Sequence, residues 1–179
     1  MFFVSDIYTT APAKFQTVLQ EKTYSVLQDL HIPFERVDTD EAVTMNDCIQ
    51  INKVLNMKMV KTLFLCNRKQ TEFFLFITTA DKPFRAKEFG TALDVSRISF
   101  APAVLMEGML GTKIGAATVF SALLDGDNRI QVIFDQDILA KEWYGCSDGT
   151  TTGYLKIKTS QIFRNFLPFT KHSPKIIQI

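Results

Sequence analysis

Apolar residues recur with a helical period over residues 13–30. Phe15, Leu19, Val26, Leu27 and Leu30 fall near one face, with Lys14, Gln20, Glu21 and Lys22 mostly elsewhere. This predicts an amphipathic helix ended by Pro33, then a short strand at 34–37. Thr44, with Asp47 three residues on, is placed to cap a second helix over 48–55. The pattern then changes. Val60–Cys66 and 73–78 are almost unbroken apolar runs rich in Phe, Leu and Ile, which suit strands buried on both faces. The polar stretch 67–71 joins them as a hairpin. Lys82 and Pro83 open a loop, followed by a helix at Ala86–Leu93, a strand at 97–100 and a helix at 103–110.

Residues 111–118, GTKIGAAT, form a loop of small residues. The apolar runs 120–124 and 130–134 flank DGDN (125–128), which predicts a second hairpin because Asp and Gly tolerate positive φ. A polar loop is expected at 145–153. Ile162, Phe163, Phe166 and Leu167 mark a last helical face, which Pro168 should stop. With no repeat or linker, 1–179 reads as one mixed α/β domain around a partly antiparallel sheet, with 1–12 as a loose N-terminal segment.

Composition narrows the function. The 179 residues are 46% apolar and 22% charged, ordinary for a folded protein. A formal charge of +1 argues against an extended nucleic-acid groove, since each neutralised phosphate wants its own cation. A local basic mouth stays open. No run approaches the ~20 apolar residues of a membrane span. Cys48, Cys66 and Cys146 lie far apart and form no disulfide framework, which points to a soluble protein of a reducing compartment, the cytoplasm.

Few residues offer chemistry. His31 and His172 are the only histidines, and neither has neighbours at metal-ligand spacing, so no metal and no cofactor is expected. Cys146 in a polar loop could be a nucleophile only with a base or a positive field beside it, and the sequence supplies neither. The two glycines of GTKIGAAT fit a tight turn, or a backbone that approaches a ligand and offers it N–H groups. Lys61 enters an apolar strand, where an unpaired ammonium is costly. It lies either at a wet strand end or on the floor of a cleft that holds a polar or anionic ligand.

Six segments, taken in order, resemble one family. They are HIPFERVDT (31–39), VKTLFLCNRKQTEFFLFIT (60–78), SRISFA (96–101), GTKIGAATVF (111–120), VIFDQDIL (132–139) and KHSPKII (171–177). Together they are similar to the YbaK-like aminoacyl-tRNA deacylases, the superfamily of the prolyl-tRNA editing domain, and most of all to free-standing PrdX/ProX-type proteins. The resemblance implies a single domain with a barrel-like, largely antiparallel sheet flanked by helices. It implies metal-independent hydrolysis of the ester joining a wrong small amino acid to tRNA, such as alanine on proline tRNA. The implied partner is the acceptor end of a mischarged tRNA, with prolyl-tRNA synthetase as a second one. No membrane is involved, and the expected state is a monomer or weak homodimer.

Carried over by position, the resemblance gives Lys61 and Gly115 the catalytic roles. Thr44, Thr62, Thr118, Ser147 and Thr151 become walls of the substrate site. Lys58, Lys82, Arg85 and Lys113 are expected to meet tRNA phosphates. The chain departs from the family pattern where a loop proline is Val119 and an asparagine after the lysine is Thr62. It departs again at GCSDGTTT (145–152), where Ser147, Asp148 and Thr151 replace the usual histidine, proline and asparagine. The alternative is therefore a catalytically weakened paralogue that binds tRNA ends, nucleotides or a synthetase.

Overall fold

The computed structural model describes residues 1–42 and 44–179. The first helix, α1 (Val18–Asp29), starts five residues later than its apolar period, because Thr17 is extended and its side chain accepts the Gln20 N–H. Strand β1 (Glu35–Asp38) follows, flanked by the N-terminal segment through bridges Val4–Thr39 and Tyr8–Arg36. Helix α2 (Met45–Leu55) begins with a reciprocal capping box between Thr44 and Asp47 and ends at Asn56 in the left-handed conformation.

Strands β2 (Val60–Cys66) and β3 (Phe73–Thr79) pair antiparallel as the expected hairpin. Helix α3 (Ala86–Leu93) and strand β4 (Ser99–Phe100) come next. The strand expected at 97–100 is shorter than its pattern, since Arg97 adopts a positive φ. The helix at 103–110 forms, but widens into a π-helical turn at Met106–Leu110.

The second predicted hairpin does not exist. Val119–Leu124 is a 3₁₀ helix, and β5 (Ile130–Asp135) joins β3 in parallel. The cause is Asp125. Its carboxylate accepts the Arg129 and Ile130 N–H groups and reaches His172 Nε2 at 2.9 Å, which closes a loop instead of a two-strand turn. The polar loop expected at 145–153 also contracts. Gly145, Cys146 and Ser147 belong to β6 (Trp143–Ser147), and Gly153 starts β7 (Gly153–Lys158). Pro168 lies in the last turn of the helical run 159–169, just after its π-helical turn Ile162–Phe166, and the run ends one residue later, close to the stop expected of it. Strand β8 (Lys175–Ile177) ends the architecture.

The mixed α/β, mainly antiparallel reading holds. The strands form two sheets, ordered β1-β7-β6 and β4-β2-β3-β5-β8, and no closed barrel is found among the described residues. Inner faces of both sheets meet in one core, with Phe64, Leu75, Ile77 and Phe134 on one side and Tyr144, Cys146, Leu155 and Ile157 on the other. The opposite face of β3 packs Phe74 and Phe76 against Phe89 of α3, with the Phe76 and Phe89 rings 4.9 Å apart. Burial on both faces explains the unbroken apolar run of β3, each such side chain contributing about 1.5–3 kcal/mol. Strand β2 differs. Its β4 neighbour covers only Leu65 and Cys66, so residues 60–63 are half-buried along an open edge. No helix among the described residues is long and apolar enough to cross a membrane.

Candidate active site

That open edge of β2 lines a cleft of about 580 Å³. Helix α2 supplies Thr44, Met45 and Cys48, and β2 supplies Lys61, Thr62 and Phe64. Phe100, Met106, Ile114, Gly115 and Ala117 close one side, and Ser147 and Tyr154 the other. Five of the expected site residues therefore meet here: Lys61, Gly115, Thr44, Thr62 and Ser147. Lys61 is the one charged side chain lining the cleft among the described residues. Its ammonium donates to the Lys82 carbonyl oxygen and has no carboxylate partner among those residues. The buried strand thus ends in a lysine tethered by one neutral acceptor, with donor capacity to spare.

Gly115 turns the 111–118 loop with φ +90°. A β-carbon there would meet nothing within 4 Å, so the backbone angle, not space, calls for glycine. The Gly115 and Ala117 N–H groups donate to no protein acceptor among the described residues, while the Ala116 N–H closes the turn on the Lys113 carbonyl at 3.1 Å. Two backbone donors thus flank the cleft where an oxygen bearing developing charge could sit.

The opposite wall is held rigid. Ser147 Oγ donates to the Thr150 carbonyl at 2.6 Å and accepts the Gly149 N–H at 3.0 Å. Asp148, fully buried, accepts from Gln20 Nε2 and the Tyr24 hydroxyl, both at 2.9 Å, and from the Thr150 N–H and hydroxyl. Burial, then the Asp148 charge, pushes the Tyr24 phenol far above its ordinary value. Gly153 is required here, since a β-carbon would overlap the Asp148 carboxylate. Where the family pattern has a histidine and a proline, this chain has a turn pinned to α1.

Other expected residues lie elsewhere. Thr118 is buried and accepts the Phe120 N–H at 3.4 Å, capping the 3₁₀ turn instead of facing the cleft. Thr151 points its hydroxyl at Glu41. Lys82 is held by Asp135 at 2.7 Å and Asp137 at 2.9 Å, so its charge is already matched. Burial alone would lower its pKa, but those two carboxylates raise it. Arg85 pairs with Glu88 at 3.1 Å on the surface, while Lys58 and Lys113 are exposed and make no ion pair among the described residues. Cys146 is buried within β6, and desolvation raises its thiol to about 12, which removes it as a nucleophile. No group of three or more His, Cys, Asp or Glu side chains among the described residues could hold a metal ion.

Sequence reasoning missed the apolar mouth of the cleft. Met45, Phe100 and Ile114 are 72%, 60% and 71% exposed, unusual for large apolar side chains, and all three line the opening. The only signal was Ile114 as the one large apolar residue inside GTKIGAAT.

Residues 39–164 match the family described as the aminoacyl-tRNA editing domain. The prolyl-tRNA editing protein ProX of Acetoanaerobium sticklandii is 24% identical over 115 residues, 64% of this chain and 70% of that protein. A solved structure described as a candidate trans-editing enzyme for prolyl tRNA synthetase superposes with a TM-score of 0.63 at 12% identity, covering 92% of this chain and 99% of the other. A scaffold used for computational epitope grafting superposes with a TM-score of 0.67 at 13% identity, covering 91% and 97%. The cleft lies within the matched residues, and the chain belongs to the aminoacyl-tRNA editing domain family.

Proposed function

We propose that this protein is a trans-editing deacylase that removes a small, wrongly attached amino acid from tRNA, alanine on proline tRNA being the first candidate. The observation that carries this reading is the convergence of Lys61, the Gly115 turn, Thr44 and Thr62 on one cleft in an editing-domain chain. Two sheets sharing one core support a barrel-like description of the scaffold.

The chemistry asks little of side chains. A water oxygen attacks the ester carbonyl carbon, and the carbonyl oxygen takes up negative charge facing the Gly115 and Ala117 N–H groups. The bond to the ribose oxygen then breaks, and that oxygen takes the proton the water gives up. Free amino acid and intact tRNA leave. Lys61 holds the terminal ribose or the carbonyl region, and orientation of this kind is worth about 7–11 kcal/mol in favourable systems. Selection rests on pocket size, where one methylene supplies about 1–3 kcal/mol. Of the four cations expected to meet tRNA, Lys58 and Lys113 make no ion pair among the described residues and are open to the acceptor-end phosphates, and the work is done in the cytoplasm, where tRNAs are charged.

One observation favours the second reading, a binding paralogue. Ser147, in place of histidine, spends its hydroxyl inside the turn. A panel of alanyl-, seryl-, threonyl- and cysteinyl-tRNA, with mischarged proline tRNA included, separates the two. Hydrolysis of one member, reduced at least 100-fold in Lys61→Ala, is the expected result. A protein that binds the panel and hydrolyses none of it is the paralogue.

A further inference from the structure

A second cavity of about 570 Å³ adjoins the first. Met45, Met59 and Val60 line both, so the two are neighbouring compartments of one groove. Its apolar surface comes from Met57, Ile138 and Trp143. Around these stand Lys58, Lys141, Asp81 and Glu142, all exposed. Asn52 also lines it, with Oδ1 accepting the Met59 N–H at 2.9 Å, which leaves the amide N–H₂ to donate. Two ammonium groups against two carboxylates make a neutral set. That balance is poor for a bare anion and suited to a polar base that brings one phosphate with it.

We propose that this compartment receives the nucleotide preceding the terminal adenosine, a cytidine in every tRNA that ends in CCA. The inference rests on the deacylase reading, with the aminoacyl-adenosine in the first compartment. Cytosine offers an exocyclic amine, which a carboxylate of Asp81 or Glu142 accepts, and ring acceptors for the Asn52 amide. The Trp143 ring and the methionines take the flat face of the base. Lys58 and Lys141 meet its phosphate. Lys156 and Lys158 sit 4.4 and 5.7 Å from the Trp143 centroid and fix the ring, with Lys156 paired to Glu35 at 3.6 Å. Uracil presents a carbonyl oxygen where cytosine has the amine, so the same carboxylates repel it.

Trp143 is the chain's only tryptophan, so its emission reports this compartment alone. Titration with the dinucleotide pCpA should change that emission saturably, about ten-fold tighter than pUpA, with AMP leaving it unaltered. Asp81→Asn with Glu142→Gln, both at exposed positions, should bring pCpA to the affinity of pUpA. Equal responses to pCpA and pUpA, or a Trp143 silent to pCpA, overturn the inference. Failure of the deacylase reading looks different: no ester is hydrolysed while Trp143 still responds to pCpA.

Discussion

Gly115 and Cys146 show two ways in which one position constrains the site. At Gly115 the constraint is a dihedral, φ +90°, with open space beyond. Gly115→Val should cost about 1–3 kcal/mol of stability through the backbone alone, while shifting the two N–H groups and lowering deacylation about 100-fold or more. Cooperative unfolding with full activity would remove the proposed oxyanion contact. At Cys146 the constraint is burial. Its folded value near 12 lies above the ordinary 9.0, so the neutral thiol is favoured in the fold. Its contribution is fully present below pH 9 and is lost as pH rises from there toward 12, because the unfolded chain releases the proton first. The unfolding free energy from urea titrations at pH 8 to 11 should fall above about pH 9, by up to about 1.4 kcal/mol per pH unit from this group. Cys146→Ala should flatten the part that begins near pH 9 and retain deacylation; a variant inactive though folded would reinstate the thiol as a nucleophile.

Among the elements, α1 and the 148–152 turn act as one piece. Gln20 and Tyr24 lie on the buried face of α1 and spend their polar groups on Asp148. Asp148→Ala leaves the Tyr24 hydroxyl, the Gln20 amide and the Thr150 donors short of an acceptor. Thermal unfolding should register a loss of about 2–4 kcal/mol, and the freed Ser147 wall should raise KM more than it lowers kcat. An unchanged melting temperature would show that the turn holds itself. The apolar period put Gln20 away from the packed face of the helix, yet the fold buries it. Its partner 128 residues away was invisible, because hydrogen bonding across the fold leaves no local period.

For the whole molecule, the two sheets and α2 leave one stretch of β2 uncovered, and the groove follows that stretch. Lys61 and Thr62 line it, from opposite faces of the strand, because β4 is too short to reach them. Trp143 faces its second compartment because β6 runs beside the start of β2, bridged at Met59 and Gly145. The apolar periods along the chain were enough to specify α1, α2, the β2–β3 hairpin and α3, since each depends on neighbours in sequence, on caps and on alternation. The ordered motifs were enough to point to Lys61 and Gly115. Only the tertiary structure decided that 119–124 coils while β5 crosses to pair in parallel with β3, since Asp125 answers to distant His172 and not to its flanking residues. It also decided that Lys82 is matched by Asp135, that Thr118 and Thr151 lie off the cleft, and that Met45, Phe100 and Ile114 ring its mouth. Those outcomes depend on which surfaces meet, and a surface exists only once the chain has folded.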